Sequence, residues 1–354
     1  MSTSSSDRSP AADGRDFRST AARHRRSLIW FAVGLLVAVG SLEAAAAAIG
    51  PRGTGQAVID HQRQHLDALG SITEGAENTG NEPTIDTVFL GDSSAGAAFD
   101  GSFFEELTGG SGYALWLPDA SPSILAPLLT EFFAAEATTD SVIIGVAARM
   151  FNANTATGRS DRLTAARSSL AWRSRVNPGP LTSIEASLAD RSAIFRYRAG
   201  LRQATDWLNG LRAADRLVLE PDGQVTFFYE ENIDDIRAGY EAGERDALTD
   251  YVISESELAA LFELVEELRS DGVAVSLALL PTHDPIYDEF FPDPEDDDRF
   301  RERLVTEAVV ADVAVLDLTG LADEADLFAD GNHLNRAGAA AATRLTAASL
   351  ADDR

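Results

Sequence analysis

The sequence predicts an α/β domain with a mostly parallel sheet covered by helices on both faces, preceded by an N-terminal transmembrane helix. Two observations carry this prediction. From about residue 84 onward, short β-prone runs that are apolar throughout alternate with helical patterns, as expected for parallel strands buried on both faces. Before them, the apolar run 28–50 follows a cluster of arginines.

Five strands of this domain are predicted from the apolar, β-prone runs. They are Thr87–Leu90, Tyr113–Leu117, Ser141–Ile144, Val273–Leu280 and Val313–Leu318. The helices predicted around them include Phe103–Leu107, Ser123–Ala134 and an alanine-rich closing helix, Asn335–Leu350. The helix before Val273 is the best specified, because Ser254 and Glu257 form a capping box and Gly272 permits a left-handed turn after its end.

The alternation is interrupted between about residues 150 and 250. Helical patterns at Leu163–Trp172 and Ser187–Leu211 precede a strand, Gln224–Tyr229, with a turn at Pro221-Asp222-Gly223. We interpret this stretch as an insertion within one domain, 84–354. Ligands of open α/β sheets bind beyond the carboxyl ends of the strands, so the insertion is predicted to roof a site there.

The N-terminal region predicts a membrane anchor. Residues 1–27 have the composition of a disordered cytoplasmic tail, and the run 28–50 is long enough to cross a bilayer with Glu43 as its one charge. Arginines before the run keep the tail in the cytoplasm, which places the domain outside the cell membrane. The alternative is a cleaved signal peptide with small residues, Ala44–Ala48, at the cleavage site. Residues 51–83 form a linker with one short helical pattern.

Composition excludes several classes of function. Acidic residues outnumber basic ones by 57 to 29, and a net charge of −28 argues against a nucleic-acid partner. The absence of cysteine excludes disulfides, thiolate zinc sites and cysteine nucleophiles, and the absence of lysine excludes Schiff-base chemistry and a Walker-type phosphate loop. An acidic, lysine-free chain is typical of a salt-loving host such as a haloarchaeon, or of the codon bias of high-GC actinobacteria.

Two polar motifs at opposite ends of the domain hold the candidate catalytic residues. Gly91-Asp92-Ser93-Ser94 follows the first strand and displays Ser93 at the edge of the sheet. The alternative is an ordinary strand-to-helix turn in which Ser and Asp are only caps. Asp330-Gly331-Asn332-His333 precedes the closing helix. A serine nucleophile needs a base that takes its proton and a carboxylate that orients this base, and His333 and Asp330 have the required side chains.

Taken as a pair, these motifs resemble those of the SGNH (GDSL-type) hydrolases. The resemblance covers about residues 84 to 350 and implies a flavodoxin-like three-layer sandwich. It also implies that Ser93 is the nucleophile, His333 the base and Asp330 the orienting acid. Neither a metal nor an organic cofactor is implied.

The middle of the family pattern differs in this chain. The family has a glycine after the second strand and an asparagine after the third, both for the oxyanion hole, whereas the stretches here contain Asp119 and Arg149. These two residues are candidates for oxyanion or substrate contact, and the alternative for Arg149 is a surface arginine. His283, just past the strand Val273–Leu280, is a third candidate for substrate contact, with a loop-capping role as the alternative.

These departures, the anchor and the insertion resemble an envelope-modifying branch of the family, whose members act in teichoic-acid D-alanylation and alginate O-acetylation. The resemblance implies an extracytoplasmic serine esterase or O-acyltransferase acting on acyl esters of an envelope glycan or lipid, with a membrane-bound acyltransferase as a partner. One alternative is a non-catalytic SGNH-like binding or assembly protein of the envelope. Another is a cation-dependent phosphoesterase that uses Asp92 and the acidic run 292–298, which otherwise forms a solvated acidic face.

Overall fold

The computed structural model describes residues 15–49, 64–65, 68, 84–128, 138–155, 191–196, 217–227, 247–283 and 295–352. Within these residues the chain forms a five-stranded sheet and a separate two-stranded hairpin. The sheet contains β1 (Thr84–Gly91), β2 (Gly112–Trp116), β3 (Thr138–Val146), β6 (Ala274–Leu279) and β7 (Ala314–Asp317), and the hairpin contains β4 (Leu217–Leu219) and β5 (Val225–Phe227).

All neighbouring strands of the five-stranded sheet are parallel, in the order β2-β1-β3-β6-β7. Counted along the chain, this is the 2-1-3-4-5 order of flavodoxin-like sheets. The five strands predicted from the sequence are confirmed, with ends that differ by up to three residues. The order reverses beside β1, so the carboxyl ends of β1 and β3 flank the crevice in which such folds place a ligand.

Eight α-helices lie within the described residues. They are α1 (Arg15–Ile49), α2 (Ser93–Ala98), α3 (Gly101–Thr108), α4 (Pro122–Leu128), α5 (Ala193–Arg196), α6 (Glu255–Ser270), α7 (Glu295–Val310) and α8 (Arg336–Asp352). Short 3₁₀ turns follow β3 at Ala148–Phe151 and β7 at Thr319–Leu321.

Each face of the sheet has its own hydrophobic core. Successive strand residues point to opposite faces, so Val88 and Leu90 belong to one core and Phe89 to the other. The first core is closed by α4, α6 and α7, and the second by α2, α3 and α8. The result is the three-layer arrangement that the alternating pattern predicted.

Two local details differ from the sequence prediction. Ser254 caps α6 by accepting the Glu257 amide, but the Glu257 carboxylate accepts two hydrogen bonds from Ser123, both 2.9 Å, at the start of α4. It therefore caps a second helix instead of completing a capping box. In addition, the acidic residues 295–298 form the first turn of α7, a helix that was not predicted, where negative charge favours the helix dipole.

The insertion contributes a hairpin that covers the edge of the sheet. The turn between β4 and β5 lies against β2, with the Ala114 amide donating to the Asp222 carbonyl (2.8 Å) and the Trp116 indole donating to the Gly223 carbonyl (2.9 Å). Gly223 has a φ of 81°, and a Cβ there would lie 2.1 Å from the Ala114 carbonyl oxygen, so glycine is required. Leu163–Trp172 and most of Ser187–Leu211 lie outside the described residues; α5 confirms one helical part of the latter.

One residue of the predicted linker reaches the same edge. The His65 ring is hydrogen-bonded to the Tyr113 hydroxyl at 2.8 Å and lies edge-on to the Trp116 ring. Burial raises the pKa of Tyr113, and the nearby Asp222 carboxylate adds to the effect. The chain before β1 thus contributes to the sheet edge at this position.

The segment Ser27–Ala47 of α1 is long and apolar enough to cross a membrane, and no other described helix is. Its large apolar side chains, such as Leu28, Phe31 and Leu36, are exposed. The helix begins at Arg15, within the stretch 1–27 for which the sequence predicted disorder.

Candidate active site

Close backbone packing fixes the turn that carries Ser93. Asp92 directly follows β1 and caps α2, its Oδ1 accepting the Ser94 amide at 2.9 Å, so Ser93 is the first residue of the helix. A Cβ on Gly91 would lie 2.4 Å from the Ala95 methyl carbon, and one on Gly145 of β3 would lie 2.8 Å from the same atom. Glycine at both positions therefore allows α2 to rest against the carboxyl ends of two strands.

The second motif lies in the loop between β7 and α8. The Asp330 Oδ1 accepts the amides of Asn332 (3.0 Å) and His333 (2.9 Å), which folds the motif into a tight turn. The loop is held from outside by the His283 amide, which donates to the Gly331 carbonyl at 2.9 Å. These bonds leave the Asp330 carboxylate facing the imidazole of His333.

Ser93, His333 and Asp330 form one hydrogen-bonded chain. Ser93 Oγ lies 2.9 Å from His333 Nε2, across 240 residues of sequence, and His333 Nδ1 lies 2.8 Å from Asp330 Oδ2. The ionised carboxylate can only accept, so the contact assigns the ring proton to Nδ1 and leaves Nε2 to accept from the serine hydroxyl. His333 and Asp330 are 2% and 4% exposed, and Ser93 is half-buried. This arrangement is suited to nucleophilic attack by Ser93.

Arg149 lies next to this chain and is buried, which corrects the interpretation of it as a surface arginine. Only 7% of the residue is exposed. One guanidinium nitrogen, Nη2, forms an ion pair with the Asp92 carboxylate and donates to Ser94 Oγ at 3.1 Å. The other, Nη1, lies 3.5 Å from Asp119 Oδ1. A guanidinium is a suitable partner here because its planar fork can serve several acceptors at once.

Asp119 follows β2 and adopts a left-handed backbone conformation, with φ 53°. Its side chain is 45% exposed, so it is the solvent-facing member of the group around Arg149. Aspartate is one of the few residues that tolerate this conformation, in which glycine is the usual choice. The Asp119 carboxylate faces Arg149, and this contact links the residue after β2 to the turn after β3.

Two residues of the site were missed by the sequence analysis. Ser94 Oγ accepts from Arg149 Nη2 and from Asn332 Nδ2, both at 3.1 Å, and so joins the turn that carries Ser93, the turn after β3 and the His333 loop. Asn332 is buried, and within the described part of the chain its Oδ1 has no hydrogen-bond partner. The available signal was that both residues are polar and stand inside motifs already singled out.

His283 belongs to the support of the loop. Besides the bond of its amide to Gly331, its ring packs edge-on against Phe328, with the centroids 5.3 Å apart. The residue is buried. These contacts favour the loop-supporting alternative over substrate contact.

The described residues contain no cluster of three or more histidine, aspartate or glutamate side chains that could hold a metal ion. The Asp92 carboxylate is bonded to the Ser94 amide and to Arg149. The acidic residues Asp296 and Asp297 of α7 pair with arginines of the same helix. Burial raises the pKa of Asp297, although Arg301 opposes the shift.

No protein-family model matches the chain, and a comparison with curated proteins gives no match. The geometry of the site is thus the basis for assigning a function.

Proposed function

We propose that this protein is a membrane-anchored, extracytoplasmic serine hydrolase or O-acyltransferase of the SGNH type. The observation that carries the proposal is the 2.9 Å contact between Ser93 Oγ and His333 Nε2, with Asp330 2.8 Å from the other ring nitrogen. The parallel sheet with its 2-1-3-4-5 order supports the same family, because SGNH hydrolases share a flavodoxin-like sandwich.

The proposed reaction is acyl transfer through a covalent intermediate. Ser93 Oγ attacks the ester carbonyl carbon while His333 Nε2 takes the hydroxyl proton. The tetrahedral intermediate collapses, the C–O bond of the ester breaks, and the departing alcohol receives the proton from His333. Water or a sugar hydroxyl then attacks the acyl-Ser93 ester, with His333 again taking and returning a proton. Asp330 holds the imidazole in its tautomer and stabilises the imidazolium.

The proposed substrate is an acyl ester on an envelope glycan or lipid. This part of the proposal is supported by the apolar segment of α1, with the arginines before it on the cytoplasmic side. A domain tethered outside the membrane meets envelope polymers and lipids. In a transferase, a membrane-bound acyltransferase is the partner that would supply the acyl group.

A non-catalytic envelope protein of the same fold is the second candidate. It is favoured by the charged residues Asp119 and Arg149 in the stretches where SGNH hydrolases have neutral oxyanion donors. In this interpretation the site binds an acyl ester or a partner without turnover. A cation-dependent phosphoesterase receives less support, since both oxygens of Asp92 are engaged by protein groups.

A fluorophosphonate probe tests the proposal directly, because it forms a covalent bond only with an activated serine. We expect the full-length protein to be labelled, and Ser93→Ala to abolish labelling. Ser270→Ala serves as a matched control, since Ser270 is an exposed residue at the end of α6 whose hydroxyl bonds only locally. Its labelling should equal that of the unmodified protein.

Absence of labelling in the unmodified protein would favour the non-catalytic candidate. Labelling that survives Ser93→Ala would overturn the assignment of the nucleophile. A chelator separates the remaining alternative. The serine mechanism predicts that hydrolysis of 4-nitrophenyl acetate is unchanged by the chelator, whereas a cation-dependent phosphoesterase predicts hydrolysis of 4-nitrophenyl phosphate that the chelator abolishes.

A further inference from the structure

Glu43 is the only charged residue within the apolar segment Ser27–Ala47. It stands four residues before Ala47, or about 6 Å along the helix axis from that end of the segment. The arginines Arg23, Arg25 and Arg26 flank the opposite end. A carboxylate inside a membrane span is costly unless it finds donors, so its partners indicate what lies beside this end of the helix.

The partners of Glu43 come from the insertion. Its Oε1 accepts from the Ser192 hydroxyl at 2.5 Å, and its Oε2 accepts the amides of Ala193 (2.5 Å) and Ile194 (3.2 Å). Ser192 Oγ in turn accepts the Phe195 amide at 3.1 Å. Both carboxylate oxygens are therefore satisfied by a segment that lies 149 residues away in the sequence.

The contact is packed as well as polar. Ala46 lies three residues after Glu43 and so on the same helix face, and it is only 3% exposed, whereas Leu42 is 60% exposed. Ser192, Ala193, Ile194 and Phe195 are half-buried. One stripe of α1 is thus covered by residues 192–195 at the end of the apolar segment farther from the arginines.

We propose that residues 191–196 form a membrane-surface element, held at the outer boundary of the bilayer by Glu43. This inference rests on the proposed membrane anchor and not on the proposed catalysis. Glu43 fixes the depth of the segment, because a residue bonded about 6 Å from the end of the span lies near the lipid headgroups. Apolar Ile194 and Phe195 suit this boundary, which admits side chains with apolar surface. The partner of this surface is the lipid bilayer itself.

The absence of cysteine makes a depth measurement direct, because a single introduced cysteine carries the only label. Arg191→Cys, at an exposed position of the segment, is labelled with the environment-sensitive fluorophore NBD in the full-length protein. The protein is reconstituted in phosphatidylcholine vesicles that contain lipids with a nitroxide at a shallow acyl carbon. We expect strong quenching at position 191, and quenching reduced at least twofold when Glu43→Ala is added.

Two further positions complete the design. Leu36→Cys, exposed in the middle of the apolar segment, should be quenched by a deep nitroxide with or without Glu43→Ala, because removing a charge favours insertion. Leu345→Cys, exposed on α8 of the catalytic domain, should remain unquenched in both. Glu43→Gln keeps the size of the side chain but loses the charge, and we expect quenching at position 191 between those of the parent and Glu43→Ala.

The outcomes separate the two proposals. Quenching at position 36 without quenching at position 191 would overturn the membrane-surface element and leave the anchor intact. Equal quenching at position 191 with and without Glu43→Ala would overturn the role of Glu43. Absence of quenching at position 36 would overturn the anchor and this inference together. Repeating the series with Ser93→Ala should change nothing, so a failure of the catalytic proposal is visible separately in probe labelling.

Discussion

The hydrogen-bonded chain Ser93–His333–Asp330 and the ion cluster Asp92–Arg149–Asp119 lie side by side and are built differently. In the hydrogen-bonded chain, each contact joins groups between which a proton can lie, and Ser93 is half-buried. In the cluster, a buried arginine is bonded to carboxylates, and its charge is permanent. One region is therefore suited to moving a proton, whereas the other holds the turns around it in place.

Ser94 connects the two regions. Its hydroxyl accepts from Arg149 on one side and from Asn332, next to His333, on the other. Changes in the hydrogen-bonded chain are therefore expected to reduce the reaction rate with little loss of stability, whereas changes in the ion cluster are expected to reduce stability first.

The largest effect is expected for Asp330→Asn. The amide oxygen can still accept the Asn332 and His333 amides, but the site no longer holds His333 in the required tautomer. We expect hydrolysis of 4-nitrophenyl acetate to fall by about 10³–10⁴-fold, with a melting temperature close to that of the parent. A variant that keeps its rate would remove Asp330 from the mechanism.

Arg149→Met should have the largest effect on stability. It leaves the buried Asp92 carboxylate without its ion partner, which is expected to cost about 3–5 kcal/mol of unfolding free energy in urea titrations. The double variant with Asp92→Asn should recover much of this loss, because the unpaired charge is gone. Arg336→Met, at an exposed position at the start of α8, is the control and should change stability by less than about 0.5 kcal/mol. A similarly small loss for Arg149→Met would break the distinction between the two regions.

Asn332→Ala tests the connection between the regions. It removes the hydrogen bond to Ser94 while leaving the three members of the chain unchanged. We expect the turnover number to fall about 5- to 10-fold at an unchanged KM, corresponding to roughly one hydrogen bond of positioning. If a variant of a buried polar residue far from the site lost as much turnover number and as much stability as Asn332→Ala, the connection through Ser94 would have no special role.

The smallest effect is expected outside both regions, at Tyr113. Burial raises the folded-state pKa of this phenol, so the unfolded chain ionises more easily than the folded protein. The contribution of Tyr113 to stability is therefore present below pH about 10, the pKa of an unperturbed tyrosine, and is lost as the pH rises further. Tyr113→Phe loses the bond to His65, at a cost of about 1 kcal/mol at pH 8, and should reduce the difference in stability between pH 8 and pH 10.5. Its esterase rate at pH 8 should equal that of the parent. If Tyr113→Phe left the pH dependence of stability unchanged, the loss of stability at alkaline pH would come from other groups.

The sheet and the chain Ser93–His333–Asp330 were predictable because their signals are local. A buried strand is an apolar run, and each motif stands directly after a strand or before a helix. The parallel arrangement then brings the motifs to one edge of the sheet.

The ion cluster was not predictable in this way. Arg149 is buried because Asp92, 57 residues earlier in the chain, provides its charge partner, and no periodicity records such a pairing. The helix α7 was missed for a related reason, since its acidic first turn resembles a solvated loop until the helix dipole is considered. His65 stands in a sequence with linker composition, and its burial depends on Tyr113 and Trp116 of a distant strand.

The close approach of α2 to the strands at Gly91 and Gly145 has a consequence for ligand binding. There is no room for a side chain between the helix and the sheet, so the backbone on which Ser93 stands cannot shift without separating the layers. A substrate would meet a nucleophile already in its working position, and little reorganisation would accompany binding. Selectivity among acyl groups would then depend on the parts of the chain that surround this fixed point, and variation there could alter the substrate while the reacting atoms stay in place.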